Sequence, residues 1–147
     1  MIFLQLYHFS PVQKQCASGI YFLAESRSVW FNGVFPFALA AFGKDKLSEY
    51  TGNIAFAGFT APKILWVKDN EPKNFAKIKK LMLPKDYIVY MLTGSYVSDY
   101  SDASGMLLLD VKNKCWSKEM LEICGISDVE MPELHESFDV VGEVKTE

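Results

Sequence analysis

Apolar residues recur at helical spacing from Gly43 onward, and residues that favour helix ends separate one helical segment from the next. The segment 44–50 predicts a short helix, and Gly52-Asn53 predicts the turn that ends it. Thr60 belongs to the residue types that cap helix N-termini, and Pro62 fits the first turn because its missing N–H needs no partner there. We therefore predict a helix capped by Thr60, with a buried stripe formed by Ile64, Leu65 and Val67.

Three further helices follow from the same signals. Asn70-Glu71-Pro72 predicts the start of one helix, whose apolar residues are spaced three apart at Phe75, Ile78 and Leu81. Leu83-Pro84-Lys85-Asp86 predicts the start of the next, which Gly94 ends. Its apolar side consists of Tyr87, Ile88, Met91 and Leu92. Ser117 predicts the cap of a last helix, 118–124, which Gly125 ends.

Strand signals are short. The apolar run 106–111 fits either a strand or a buried helix end, and the loose alternation over 138–144 favours a strand. The predicted fold class is therefore α+β and mostly helical, with too few strands to complete a sheet.

The first 42 residues have a different pattern. The apolar run 30–42 is broken by Asn32, Gly33 and Pro36, and it falls short of the ~18 apolar residues typical of a membrane span. No basic region precedes the apolar residues 2–6, as a signal peptide would require. We divide the chain into an unassigned segment, 1–42, and a domain, 43–147.

Composition excludes several classes of function. A chain of 147 residues with half of them apolar is typical of one globular domain, and a net charge of −3 gives no reason to expect nucleic acid or a membrane as partner. The three cysteines, Cys16, Cys115 and Cys124, have no ligand-like spacing to His8 or His135. We therefore predict reduced thiols in a cytoplasmic protein and no metal site.

No motif for catalysis is present. The sequence lacks a phosphate-binding GxxxxGK[ST] loop, a dinucleotide GxGxxG turn, a GxSxG elbow and an HExxH helix. Asp99 and Asp102 have the spacing of an acid–base or metal-ligand pair on one helix face, but helix capping is the more common role for such residues.

Five motifs follow one another from about residue 43 to the end of the chain. They are Thr51-Gly52-Asn53; Gly58-Phe59-Thr60-Ala61-Pro62-Lys63-Ile64-Leu65-Trp66; Leu83-Pro84-Lys85-Asp86-Tyr87-Ile88 with Leu92-Thr93-Gly94; Ser98-Asp99-Tyr100-Ser101-Asp102-Ala103-Ser104-Gly105; and Leu107-Leu108-Leu109-Asp110 with Trp116 and Met120-Leu121. In these motifs and in their order, the chain resembles the FGGY family of carbohydrate kinases, and within it the xylulokinase subfamily.

The resemblance implies an ATP-dependent kinase that converts D-xylulose to xylulose 5-phosphate, with ATP and Mg²⁺ as cofactors of the complete enzyme. It also implies two domains of the actin-like, ribonuclease-H-like fold with the active site between them. This chain matches part of the N-terminal, sugar-side domain.

Several motifs of the family do not occur in this chain. The Asp-x-Gly-Thr phosphate turn and the Gly-Gln-Met-His sugar segment are absent, and the Gly-Gly-Asp segment with the catalytic base would lie beyond Glu147. We therefore expect an incomplete kinase that is inactive alone, binds no cofactor itself and offers no catalytic residue. We interpret 1–42 as a frameshifted or recombined start, which a family-like N-terminus in the native reading frame would contradict.

The resemblance places Gly58, Phe59 and Thr60 nearest to the sugar, as candidate substrate-binding residues. A structural role is equally consistent with Gly58, which suits a tight turn, and with Phe59, which suits a core. For Thr60 a role as helix cap is favoured over sugar binding. For Trp66 and Trp116 core packing is favoured over sugar stacking, and for Asp102 a cap or turn role is favoured.

Two alternatives remain open. One is a kinase of the same family that acts on glycerol, gluconate or ribulose. The other is a non-catalytic module derived from a kinase, which associates with itself or with the remaining kinase portion through apolar surface.

Overall fold

The computed structural model describes residues 2–3, 21–22, 43–54 and 59–146. In this part of the chain, helices supply most of the regular structure, and every strand has only two or three residues. The helices are α1 (Lys44–Thr51), α2 (Thr60–Asn70), α3 (Pro72–Phe75), α4 (Pro84–Thr93), α5 (Tyr100–Ser104) and α6 (Lys118–Cys124). The strands are β1 (Ile2–Phe3), β2 (Tyr21–Phe22), β3 (Leu81–Met82), β4 (Val97–Asp99), β5 (Leu109–Asp110), β6 (Cys115–Trp116) and β7 (Glu133–His135).

The predicted helix ends at three glycines are confirmed. Gly52, Gly94 and Gly125 follow α1, α4 and α6 with φ of 64°, 85° and 71°, in the left-handed region that glycine adopts without a steric penalty. The cap of α6 is also as predicted, because the Ser117 hydroxyl accepts a hydrogen bond from the Met120 N–H at 3.3 Å.

The predicted cap of α2 is wrong. Thr60 is the first residue of the helix, and Phe59 holds the capping position without a side-chain hydrogen bond. The Ala61 N–H, one of the donors that a cap would satisfy, instead donates to the Met106 carbonyl at 3.0 Å. A tertiary contact therefore replaces the local cap at the start of α2.

The predicted helical face formed by Phe75, Ile78 and Leu81 is also wrong. Helix α3 ends at Phe75, and Leu81 lies in β3, which pairs in parallel with β1 through Ile2↔Leu81 and Phe3↔Met82. Leu81 and Met82 are both 1% exposed, so pairing and burial in a strand override the helical spacing.

The strand predicted over 138–144 does not form. Strand β7 lies earlier and pairs in parallel with β4, with Asp99 opposite His135. Phe138 and Val140 are 84% and 92% exposed, so neither is buried as a strand residue facing the core would be. In the run 106–111, where two interpretations were open, only Leu109 forms a strand with Asp110, and this strand pairs with β6 in a hairpin.

The pairing of β1 with β2 and β3 joins the first segment of the chain to the rest. All three strands run in parallel, with β1 in the centre. The division of the chain at residue 43 stays a prediction.

The core lies between the helices and the turn that follows α5. Its fully buried residues include Met106, Leu107 and Leu108, which precede β5, together with Ile64 of α2 and Met120 of α6. Leu107 has a φ of 59°, which is uncommon for any residue with a Cβ, although its side chain is completely buried.

Of the four residues predicted to form the apolar side of α4, Tyr87 is half-buried and the other three are exposed. Ile88, Met91 and Leu92 are 58%, 55% and 49% exposed, and the buried residue of this helix is Asp86. Within the described part of the chain, α4 is therefore attached by its first turn rather than by its apolar stripe.

The left-handed turn after α6 gives a test of the fold. We expect Gly125→Ala to lower the free energy of unfolding by about 1–2 kcal/mol, because an L-residue is strained at this φ. Its added Cβ would also lie 2.7 Å from Lys68 Nζ. Urea unfolding followed by circular dichroism measures the change. Gly105→Ala is the matched control, since Gly105 has a φ of −77° and its nearest neighbour, the Asp102 carbonyl oxygen, would be 3.4 Å away. Equal losses in both variants would contradict the prediction.

Candidate functional site

Of the three residues predicted to face the sugar, the structure describes Phe59 and Thr60. Gly58 lies outside the described residues. Phe59 is half-buried and contacts the core, and Thr60 is 5% exposed at the start of α2. Whether these residues bind a sugar stays a prediction.

The start of α2 rests on the turn formed by Ser104, Gly105 and Met106, which we call the 104–106 turn. The Ala61 N–H donates to Met106 O at 3.0 Å, and a Cβ on Gly105 would lie 3.9 Å from the Phe59 ring. On the other side, Asn53 Nδ2 donates to Ser104 O at 3.3 Å. The end of α1, the start of α2 and the end of α5 therefore meet at one place.

A lysine surrounded by three carboxylates lies at the other end of α5. Lys85 Nζ is 2.7 Å from Asp86 Oδ1, 2.6 Å from Asp99 Oδ2 and 3.6 Å from Asp102 Oδ2. We call these four residues the Lys85 cluster. It joins the first turn of α4 to the end of β4 and the first turn of α5.

Two of the three carboxylates of the Lys85 cluster, those of Asp86 and Asp99, also accept hydrogen bonds from backbone N–H groups. Asp86, 2% exposed at its side chain, accepts a hydrogen bond from the Leu83 N–H at 3.1 Å. Asp99 caps α5 by accepting from the Asp102 N–H at 2.9 Å, and it accepts a second bond from Ser137 Oγ at 3.1 Å. The predicted capping role is therefore confirmed for Asp99, whereas Asp102 lies in the first turn and is half-exposed.

The pKa values of the cluster reflect these contacts. Burial by itself would lower the pKa of Lys85, but hydrogen bonds to Asp86 and Asp99 outweigh it and raise the pKa. Burial by itself would raise the pKa of Asp99, but the Lys85 ammonium and the Asp102 N–H outweigh it and lower the pKa. Both shifts favour the charged forms of the ion pair.

The two tryptophans considered for sugar stacking are partly buried. Trp116 contacts the core and donates from Nε1 to the Pro132 carbonyl at 2.8 Å, so its predicted packing role is confirmed. Trp66 is half-buried on α2, and its own carbonyl accepts a hydrogen bond from Asn70 Nδ2 at 2.9 Å.

An open cavity of about 510 Å³ lies beside β4 and β7. Neither Phe59 nor Thr60 lines it. Its lining residues are Ser95, Tyr96, Val97, Glu130, Met131, Glu133, His135, Val140 and Val141.

Metal-binding clusters and membrane-spanning helices are both absent from the described part of the chain. Among these residues, no group of three or more His, Cys, Asp or Glu side chains is arranged to hold a metal ion. None of the helices described is long and apolar enough to span a bilayer. The three carboxylates that lie closest together already surround Lys85.

The sequence model for the N-terminal domain of the FGGY family of carbohydrate kinases matches residues 39–147. The chain belongs to the FGGY family of carbohydrate kinases. The resemblance stated from the motifs is thereby confirmed.

The relatives that match this chain include kinases of xylulose and of glycerol. A xylulose kinase from Lactococcus lactis is 50% identical over 102 residues, which cover 69% of this chain and 20% of that protein. A glycerol kinase from Thermococcus gammatolerans is 39% identical over 107 residues, 70% of this chain and 22% of its own length. The chain thus spans about a fifth of the length of the curated relatives it matches.

The fold agrees with this assignment. A solved structure from Brucella ovis, described as a xyloylose kinase, superposes with a TM-score of 0.72 at 40% identity. The superposition covers 79% of this chain and 24% of that one. The described residues therefore adopt part of the fold of FGGY sugar kinases.

The Lys85 cluster is the feature of this FGGY chain that sequence reasoning missed. The sequence predicts Lys85-Asp86 as a helix start, and Asp99 and Asp102 as caps, an acid–base pair or metal ligands. The signal was a lysine in the first turn of a predicted helix, where a positive charge is unfavourable without nearby carboxylates.

The low pKa of Asp99 predicts how stability depends on pH. Because the folded-state pKa lies below the ordinary 3.8, the ionised form stabilises the fold above pH 3.8. This contribution is lost as the pH falls through the folded-state pKa. We expect the difference in unfolding free energy between wild type and Asp99→Asn to be constant above about pH 5 and to shrink below about pH 4.

Urea unfolding at a series of pH values between 2 and 7 measures this difference. Asp128→Asn, at an exposed position outside the Lys85 cluster, is the control. A difference for Asp99→Asn that does not change with pH would contradict the prediction.

Proposed function

We propose that this chain forms the sugar-side part of an ATP-dependent kinase that phosphorylates a hydroxyl group of D-xylulose. The observation that supports this most is the 50% identity with the Lactococcus lactis xylulose kinase, compared with 39% for the glycerol kinase over a similar length. The same relationship supports an incomplete domain of the actin-like fold, because the match covers a fifth of the relative.

The Phe59–Thr60 turn, together with Gly58, is the surface that we assign to the sugar. The half-buried Phe59 ring offers an apolar face of the kind on which sugar rings pack. Thr60 is only 5% exposed, so we expect Phe59 rather than the Thr60 hydroxyl to supply the main side-chain contact. A glycine at position 58 lets a ligand approach the backbone closely.

The described residues do not fit the cofactors of the reaction. ATP supplies the phosphoryl group and Mg²⁺ neutralises its phosphates when bound. The clustered carboxylates Asp86, Asp99 and Asp102 are paired with Lys85, so they are neither free metal ligands nor a free base. We therefore assign ATP, Mg²⁺ and the catalytic base to parts outside the described residues, and we expect no turnover from this chain alone.

We propose the cytoplasm as the place of action. ATP-dependent sugar phosphorylation needs the nucleotide pool of that compartment. Cys115 and Cys124 form no disulfide, which agrees with a reducing environment.

Sugar binding and turnover can be measured separately. With D-xylulose, ATP and Mg²⁺, we expect the full chain to form no more ADP than a no-protein control, while a complete xylulose kinase assayed in parallel is active. In saturation-transfer NMR we expect a stronger signal from D-xylulose than from glycerol. Phe59→Ala should remove this signal, because the ring supplies the apolar contact.

Phe138→Ala is the matched control, since that ring is 84% exposed and far from α2 in the sequence. Sugar phosphorylation by the chain, or equal signals from both ligands, would contradict the proposal.

A second candidate function is that of a kinase-derived module that associates with itself. The exposed apolar stripe of α4, formed by Ile88, Met91 and Leu92, favours it, because this 3–4 spacing is typical of a helix that packs against another helix. Sedimentation velocity should show a dimer that Met91→Glu converts to monomer, since a carboxylate would be desolvated in the interface. Val111→Glu, at an exposed hairpin residue, is the control. A monomer at all concentrations would exclude this function.

A further inference from the structure

We propose that Lys85 is a positioning residue for the Phe59–Thr60 turn, acting through Asp99 and helix α5. Lys85 does not contact the turn itself. The proposal rests on the proposed function in one respect, the assignment of this turn to the sugar. The effect of Lys85 on the position of the turn can be measured without any sugar.

The first step is the attachment of α5 to α4. Lys85 Nζ lies 2.7 Å from Asp86 at the start of α4 and 2.6 Å from Asp99 at the start of α5. Without the ammonium group, the carboxylates of Asp86, Asp99 and Asp102 would face one another and repel. Lys85 is therefore the group that keeps the two helix starts together.

The second step runs along α5. Asp99 caps this helix through the Asp102 N–H, and the Asp102 and Ala103 carbonyls accept from the N–H groups of Gly105 and Met106 at 3.1 and 3.0 Å. The helix has only five residues, so consecutive hydrogen bonds connect its cap to the 104–106 turn. A displacement of Asp99 should therefore move that turn.

The third step connects the 104–106 turn to α2. The Ala61 N–H, which no side chain caps, donates to the Met106 carbonyl, and the Phe59 ring lies against Gly105. Because no side-chain hydrogen bond caps α2, the Met106 carbonyl is the acceptor that holds the Ala61 N–H of its first turn. The hydrogen-exchange rate of the Ala61 N–H therefore reports on the last contact of this series, the one between Met106 and α2.

A purely structural role for the cluster predicts a different result. If the ion pairs only added to global stability, their loss would accelerate hydrogen exchange throughout the core by the same factor. If Lys85 positions the turn, exchange should accelerate at Ala61 more than in α6, which does not contact the cluster.

The experiment is hydrogen exchange by NMR on the ¹⁵N-labelled full chain, with the exchange rate of the Ala61 N–H divided by that of the buried Cys124 N–H in α6. Lys85→Met keeps the aliphatic stem and removes the charge. We expect it to raise this ratio about fivefold, the size of effect typical of ion pairs at partly exposed positions. Lys85→Arg should restore the wild-type ratio.

Lys114→Met is the matched control. Lys114 also contacts α5, lying 5.0 Å from the Tyr100 ring, and it pairs with Glu136, but it does not touch Asp99. If Lys85→Met fails to fold, Asp99→Ser replaces it, because serine retains the cap of α5 and removes the carboxylate that Lys85 binds. A raised ratio in Asp99→Ser supports the proposal. Parallel changes at Ala61 and Cys124, an unchanged ratio, or an equal rise in Lys114→Met would overturn it, whether or not the chain binds D-xylulose.

Discussion

One ammonium group, that of Lys85, forms the ion pairs that join the start of α4 to the end of β4 and the first turn of α5. Helix α4 cannot rely on its apolar stripe for attachment, because Ile88, Met91 and Leu92 face outward in the described structure. Its first turn is held instead by the buried carboxylate of Asp86 and by Lys85. Charge therefore attaches this part of the FGGY domain together with the packing of Leu83 against the core.

The region assigned to the sugar depends on tertiary contacts in the same way. Helix α2 begins without a side-chain cap, and its first turn is completed by a backbone carbonyl from the turn after α5. A surface built like this has a defined shape only when the surrounding elements are in place.

Sequence reasoning succeeded where a feature depends on neighbouring residues. The glycines after α1, α4 and α6 and the cap at Ser117 were predicted, because a left-handed turn or a cap is a local property. It failed at Leu81, where a strand partner distant in sequence overrides the helical spacing.

The Lys85 cluster was missed for a related reason. Each of its residues has an adequate local explanation, and only the fold brings Lys85 beside Asp99. The family itself was recognised from the order of the motifs, whereas the sugar-facing role of Phe59 and Thr60 rests on resemblance and stays a prediction.

Leu107 limits which amino acids its position can accept. Its left-handed backbone disfavours every residue with a Cβ, and most strongly the β-branched ones, whereas its complete burial disfavours small or polar side chains. Glycine would relieve the backbone but leave a cavity, and valine or isoleucine would fill the space but strain the backbone further. Two opposing selective constraints thus act on one residue, so substitutions there should be few and should occur together with changes in the residues that surround its side chain.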